Sequence, residues 1–280
     1  MPSVHDWTGP LAGWCLAVPA RGPGVCPACR GALRPGFSTC ASCACVLSQV
    51  ALPCRRVVPV SIYRVGGPLH QALRRYKDGP TAAVRRRHAV TTVALLARFV
   101  FDHGPCLAGG APWDLVTTVP STSGGDGPHP LEAALALVPW LEAQHTRTLA
   151  RTAVPLHHRS AGDGAFTVTA DVGGARVLVV DDTYTSGARA QSAASALALA
   201  GARVLAIVPV GRVVDPGWAP HVAAYWRALA AEPFDFGRCC LDGDRQLRSG
   251  ADRGAAGGQP LSGAAPGATL GTADRRATGP

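Results

Sequence analysis

The chain has 280 residues, of which 47% are hydrophobic and 16% charged, and its 27 Lys+Arg against 18 Asp+Glu give a formal charge of +9. Apolar content this high excludes a wholly disordered protein. No run of about 18 uncharged apolar residues occurs, so no transmembrane helix and no membrane insertion are expected. The opening MPSVHDWTGP has an acid and no basic stretch, so it does not read as a signal peptide. A cytoplasmic protein is the expectation.

The charge is uneven. Residues 1–110 carry a net +10, residues 111–248 a net −2 and the last 32 residues a net +1. A basic first third suits a polyanion such as single-stranded DNA, or a phosphorylated small molecule; a solvated arginine face is the plain alternative. Of the 27 basic residues, 26 are arginine, and the single lysine is Lys77.

In chain order, residues 1–55 are rich in Cys, Pro and Gly and read as a zinc-binding module with a flexible start. Cys26-x2-Cys29 and Cys40-x2-Cys43 can close four thiolates around one tetrahedral Zn²⁺, a closed structural site. A disulfide framework competes with this reading but needs an oxidising compartment. Cys45 is close enough in sequence to compete as a ligand. Cys15, Cys54, Cys106, Cys239 and Cys240 have no metal-binding spacing and read as buried small hydrophobes.

Residues 56–245 read as one α/β domain. Val57–Val65 alternates as a strand and ends at Gly66-Gly67-Pro68. Leu69–Asp78 has helical spacing, and Arg87–His103 is a second, apolar helix with Arg98 inside it. Trp113–Pro120 is a β-rich run, and Pro130–His145 reads as a helix opened by proline. Arg176–Asp182 is a continuous apolar run ending in two acids, which suits a buried parallel strand. Gly187–Ala200 is an alanine-rich helix, and Arg203–Val210 another buried strand. Trp218, Trp226 and Phe234–Phe236 are expected to pack rather than to stack on bases. Alternating strands and helices imply a mainly parallel sheet. Residues 246–280, dominated by Gly, Ala and Pro without aromatics, read as a disordered tail.

The most informative stretch is Val177–Ala188, VLVVDDTYTSGA. A strand delivers two acids, then a hydroxyl-bearing turn with a glycine, then a helix. Backbone N–H groups of Thr185, Ser186 and Gly187 would form an anion site at the helix start. Asp181 and Asp182 could accept hydrogen bonds from two ribose hydroxyls, at the carboxyl end of a parallel strand. Together these features point to a phosphorylated sugar.

VLVVDDTYTSGA resembles the phosphoribosyl-pyrophosphate (PRPP) motif of type I phosphoribosyltransferases. With the four-cysteine module, Tyr63, the segment LHQALRRYKDG (Leu69–Gly79) and the segment VPSTS (Val119–Ser123), the layout resembles the ComF family. The resemblance implies a parallel sheet flanked by helices, transfer of ribose 5-phosphate to an acceptor with release of pyrophosphate, and Mg²⁺ arriving with PRPP. It implies that Asp181 and Asp182 hold the ribose hydroxyls. Thr183, Tyr184, Thr185, Ser186, Gly187 and Ala188 would cradle the 5′-phosphate, and Pro120, Ser121 and Thr122 would face the pyrophosphate. His157–Phe166 would be a mobile flap. The family usually places arginines after the pyrophosphate loop; STSGGDGPHP (Ser121–Pro130) has none. Arg159, Arg74 or Lys77 could supply the charge instead, and His129 weakly. Lys77 sits inside the family-like segment, where a compact ammonium can serve where a guanidinium does not fit; an exposed helical lysine is the alternative. Two functions stay open: a phosphoribosyltransferase, or a catalytically degenerate relative acting in DNA uptake or nucleotide sensing with single-stranded DNA or a helicase partner.

Overall fold

The run Val177–Val180 has no polar side because both faces of its strand are covered. The computed structural model describes residues 3–121 and 129–242. Thr122 and the 246–280 segment, both given roles above, lie outside the described residues. Helix α1 (Val4–Thr8), a 3₁₀ turn (Gly9–Trp14) and α2 (Ala41–Leu47) lead into β1 (Ser61–Tyr63), α3 (Pro68–Asp78), α4 (Ala82–Asp102) and α5 (Gly104–Ala108). Then come β2 (Leu115–Thr118), α6 (Pro130–Leu135), α7 (Pro139–Glu142), β3 (Leu149–Arg151), β4 (Phe166–Val168), β5 (Arg176–Tyr184), α8 (Ala188–Leu199), β6 (Arg203–Val213) and α9 (Pro220–Ala230).

The main sheet has the order β1-β6-β5-β2, and every pairing is parallel. Parallel neighbours need crossovers, and the helices that make them cover both faces. Val177 and Val179 share a cluster with Ala193, Ala194 and Leu197 of α8. Leu178 and Val180 share the other with Val93 and Leu96 of α4. The same α8-side cluster contains Cys26, Cys29 and Cys43, so the cysteine module and the sheet have one core. No helix among the described residues is long and apolar enough to cross a membrane.

Several expectations are corrected. From Ser3 onward the described chain start is helical: Ser3 and Asp6 form a capping box, and Val4, Thr8 and Leu11 are buried. Arg98, the charge inside the apolar stretch, donates to Thr8 Oγ1 (2.9 Å), pairs with Asp102 (3.2 Å) and lies 3.8 Å from the centre of the Phe236 ring. Helix α4 starts at Ala82, where Thr81 caps the Val84 N–H at 3.2 Å, so exposed Arg85–Arg87 ride on its first turns. The expected Pro130–His145 helix is broken into α6 and α7 at Pro139, which has no N–H to continue the ladder. Thr167–Thr169, which reads as a strand edge in the sequence, overlaps β4, whereas β3 and α9 carry periodicity too short or too weak to read beforehand. Trp218 is 71% exposed rather than packed, while Phe236 is buried.

Gly211 of β6 shows how tightly β1 and α3 close on the sheet. A Cβ there would lie 2.5 Å from the Tyr63 ring and 3.0 Å from Leu73. Gly211→Ala is therefore expected to lower unfolding free energy by about 1–3 kcal/mol in denaturant melts. Tyr63→Leu in the same chain should recover part of the loss; an unchanged midpoint for Gly211→Ala would contradict this packing.

Candidate functional site

Consecutive strand residues point to opposite faces, and the two aspartates part accordingly. Strand β5 runs two residues further than expected, to Tyr184, so both acids lie inside it. Asp181 is buried and borders a cleft of about 280 Å³, lined also by Thr183, Thr185, Ser186, Gly187 and Arg189. Asp182 is completely buried and turns to α3. Its Oδ2 accepts the Tyr76 hydroxyl and pairs with the Lys77 ammonium. Its Oδ1 is buried with no hydrogen-bond partner. Lys77 is thus not a solvated helical lysine; its side chain is 27% exposed and committed to Asp182.

The electrostatics of the two acids diverge. Burial works against the Asp182 charge, but the Lys77 ammonium and the hydrogen bonds from Lys77 and Tyr76 outweigh it and hold the carboxyl below its usual range. For Asp181, burial and then the Asp182 charge outweigh Arg189 and Lys77 and push it up to about 7. Tyr63 completes this wall: its hydroxyl meets the Thr183 side chain, and burial pushes it up to about 12.

The turn after β5 is set by Gly187, at φ +88°, where a Cβ would overlap the Tyr184 phenol. Tyr184 is therefore a buried buttress below the turn, bonded through its hydroxyl to Gln191 Nε2 at 3.4 Å. Helix α8 starts at Ala188, so its first N–H groups face the cleft region bounded by Thr185–Arg189. On the other side of β5, Thr118 of β2 pairs with Val180, and Val119 N–H reaches the Val180 carbonyl at 3.2 Å. Pro120 and Ser121 then leave the sheet at the level of the aspartates.

The cysteine module sits directly behind this turn. Cys26 and Cys29 lie on a knuckle closed by the Cys26 N–H to Gly31 carbonyl bond (2.8 Å), with Arg30 at φ 61°. Cys40 is the N-cap of α2 and Cys43 is in its first turn. One sulfur from each lies within 4.8 Å of the others. Cys29 and Cys40 sulfurs are 3.6 Å apart, and Cys40 N–H points at Cys26 Sγ (3.5 Å). Four converging sulfurs with an outer N–H donor fit a structural Zn²⁺. Cys45 is not part of the set; its thiol donates to the Arg159 carbonyl at 3.3 Å.

Arg212 of β6 links module and turn. It is buried, and its Nη1 donates to the carbonyls of Tyr184 (3.2 Å), Thr185 (2.6 Å) and Val213 (2.7 Å). Its Nη2 faces Cys29 Sγ at 3.7 Å.

The segment expected to be a flap lies between β3 and β4 and is docked down. Leu156, His157 and His158 line the cleft. Arg159 N–H donates to Ser186 Oγ (3.2 Å), but its guanidinium lies 6.0 Å from the Trp218 ring and not among the cleft residues. Ala161 N–H donates to Gln49 Oε1 (2.6 Å) and Gly162 N–H to Ser192 Oγ (3.0 Å). His129 does not replace the missing arginines: burial lowers it to about 4, and its Nδ1 caps α6 by accepting the Leu131 N–H at 3.0 Å. Arg74 opens onto a separate cavity with His70, Gln71 and Asp78. The sequence reading missed Tyr76, Arg189 and Arg212. Tyr76 and Arg189 adjoin the recognised motifs; Arg212 has no local signal.

Comparison of the chain with models of protein families, with curated proteins and with solved structures gave no match.

The opposite shifts of the two carboxyls make a testable asymmetry. A carboxyl pushed up to about 7 favours folding while protonated, and that contribution is lost as pH rises from its unfolded value through 7. The stability gain of Asp181→Asn over the natural chain should therefore grow between pH 5 and pH 8, by on the order of a few kcal/mol. Thermal melts of both chains across that range measure it; a pH-independent difference would contradict the assignment.

Proposed function

We propose that the cleft binds a ribose 5-phosphate compound of the PRPP type and that the chain transfers its ribose 5-phosphate to an acceptor, as a type I phosphoribosyltransferase-like protein of the ComF kind. The observation that carries this reading is the Asp181–Asp182 pair set beside a hydroxyl-rich turn that opens an α-helix. Thr185, Ser186 and the first N–H groups of α8 suit a phosphate monoester. Asp181, the acid that borders the cleft, suits a ribose hydroxyl, while Asp182 behind it holds the Lys77 ammonium next to the site. The parallel sheet with its crossover helices is compatible with that fold.

In the transfer, the C1′–oxygen bond to pyrophosphate breaks, a bond from the acceptor nucleophile to C1′ forms, and the acceptor proton passes to solvent. Mg²⁺ would arrive on the substrate's pyrophosphate. The chain's own part is to position the sugar and to meet developing charge. Arg189 in the cleft and Lys77 behind Asp182 supply positive charge that the loop after Pro120 lacks.

A second reading has its own observation. Arg74, Arg75 and Arg85–Arg87 are exposed on adjoining helices α3 and α4, an arrangement that suits a nucleic-acid phosphate backbone. Calorimetry with PRPP–Mg²⁺, followed by a pyrophosphate-release screen over bases, separates the two. Saturable binding is expected, weakened about tenfold or more by Asp181→Asn. No heat at millimolar PRPP would overturn the sugar-phosphate reading. Binding without pyrophosphate release, together with salt-sensitive oligonucleotide binding, would favour the second.

A further inference from the structure

A second cluster of metal-ligating side chains lies away from the cleft. His103, Cys106, Cys239 and Asp242 each offer a ligand atom, and these atoms lie within 4.8 Å of one another. In sequence they are two i, i+3 pairs, His103-x2-Cys106 and Cys239-x2-Asp242, brought together across the fold. The spacing had suggested only buried hydrophobes for Cys106 and Cys239, because neither pair is a Cys-x2-Cys. We propose that these four residues form a second structural metal centre that takes one divalent ion of the zinc type.

The surroundings are those of a built site. His103 is 3% exposed and sits where α4 ends and α5 begins. Its Nε2 lies 2.8 Å from the Phe236 carbonyl. That acceptor requires the proton on Nε2, so Nδ1 of the neutral ring keeps its lone pair for a metal. A ligand histidine held by a backbone carbonyl through its other nitrogen is the usual outer arrangement of zinc sites. Asp242 is oriented in the same way: its Oδ2 accepts the Cys239 N–H at 2.8 Å, and its Oδ1 accepts the Cys106 thiol at 3.4 Å. On binding, each thiol releases its proton to solvent, and a shared cation takes the place of those protons.

Charge and access also fit. Two thiolates, a carboxylate and a divalent cation leave one net negative charge. The Arg56 guanidinium stands beside it, donating to the carbonyls of Cys106 and Leu107. Cys239 and Asp242 also line a cavity of about 710 Å³, bounded by the 17–35 segment and α9, which gives an ion a route in. Four protein ligands leave no open position, so the centre is structural. Its effect is to clasp the stretch after α9 to the α4–α5 corner, where Phe236, Cys240 and Leu241 enter the main core.

The test is metal content of the full chain, purified under reducing conditions and analysed by mass spectrometry of the elements. Two zinc equivalents per chain are expected. Cys239→Ser and Asp242→Ala should each remove one, and Cys26→Ser should remove the other. Cobalt(II) replacement supplies a readout that does not depend on folding yield. The ion lost in Cys239→Ser should show tetrahedral d–d bands with thiolate charge-transfer absorption about half that of the four-cysteine site, in proportion to its two sulfurs. One equivalent in the natural chain, unchanged by Cys239→Ser, would overturn the proposal. So would a Cys106–Cys239 disulfide found in alkylated, unreduced protein.

Discussion

Arg212 is a cation buried among three backbone carbonyls and a cysteine sulfur, and the shape of the cleft depends on where it is held. A buried guanidinium is costly unless it is paired and hydrogen-bonded. Here the carbonyls of Tyr184, Thr185 and Val213 accept from Nη1 and the Cys29 sulfur faces Nη2, while the buried Nε has no hydrogen-bond partner. Four thiolates around a divalent ion would carry a net charge of −2, so a metal-loaded module would be the counter-ion of Arg212. The same contacts fix the carbonyls that begin the Thr185–Gly187 turn. The module therefore acts on the cleft through one side chain and is not an appendage to the sheet.

The flap is tied to the same body. Cys45, Gln49 and Ala51 on or just after α2 bond to Arg159, Ala161 and Asp163, while Ser186, Ser192 and Ser195 hold the same segment from the turn and α8. Cleft, flap and module thus share one set of polar contacts. On the far side of β5, Lys77 and Tyr76 keep Asp182 ionised inside the core, while Asp181 is left to burial and its neighbour's charge. Two adjacent identical residues acquire different acidities because a strand sends them to different surroundings. That separation suits a site in which one acid anchors and the other responds to what enters the cleft.

Much of this was legible in the sequence because it rests on local signals. The run RVLVVDD announces a strand covered on both faces, and the two Cys-x2-Cys pairs announce a metal knuckle. The lone lysine among arginines marks a position that turns out to lie against Asp182. Other features were not legible, for physical reasons. The Asp181/Asp182 separation depends on which face of β5 each acid meets, with α3 covering Asp182 and the cleft bordering Asp181, and local spacing does not show this. The role of Gly187 depends on Tyr184 packing beneath it, and that of Arg212 on a module far away in the chain. Pro139 broke a helix that the apolar spacing alone would have continued. His103 and Cys106 find their partners only when the segment after α9 folds back onto α4.

Hydrogen–deuterium exchange of the full chain, natural and Arg212→Lys, tests most directly whether the metal module holds the cleft through this guanidinium. Lysine keeps the charge but cannot reach three carbonyls and a sulfur at once. Amides of Thr185–Ala188 and Arg159–Gly162 should exchange about tenfold faster or more in the variant, while α4 and β2 stay protected and the four-cysteine site keeps its metal. Unchanged exchange in the turn and flap, or a uniform rise across the sheet, would contradict a coupling carried by Arg212.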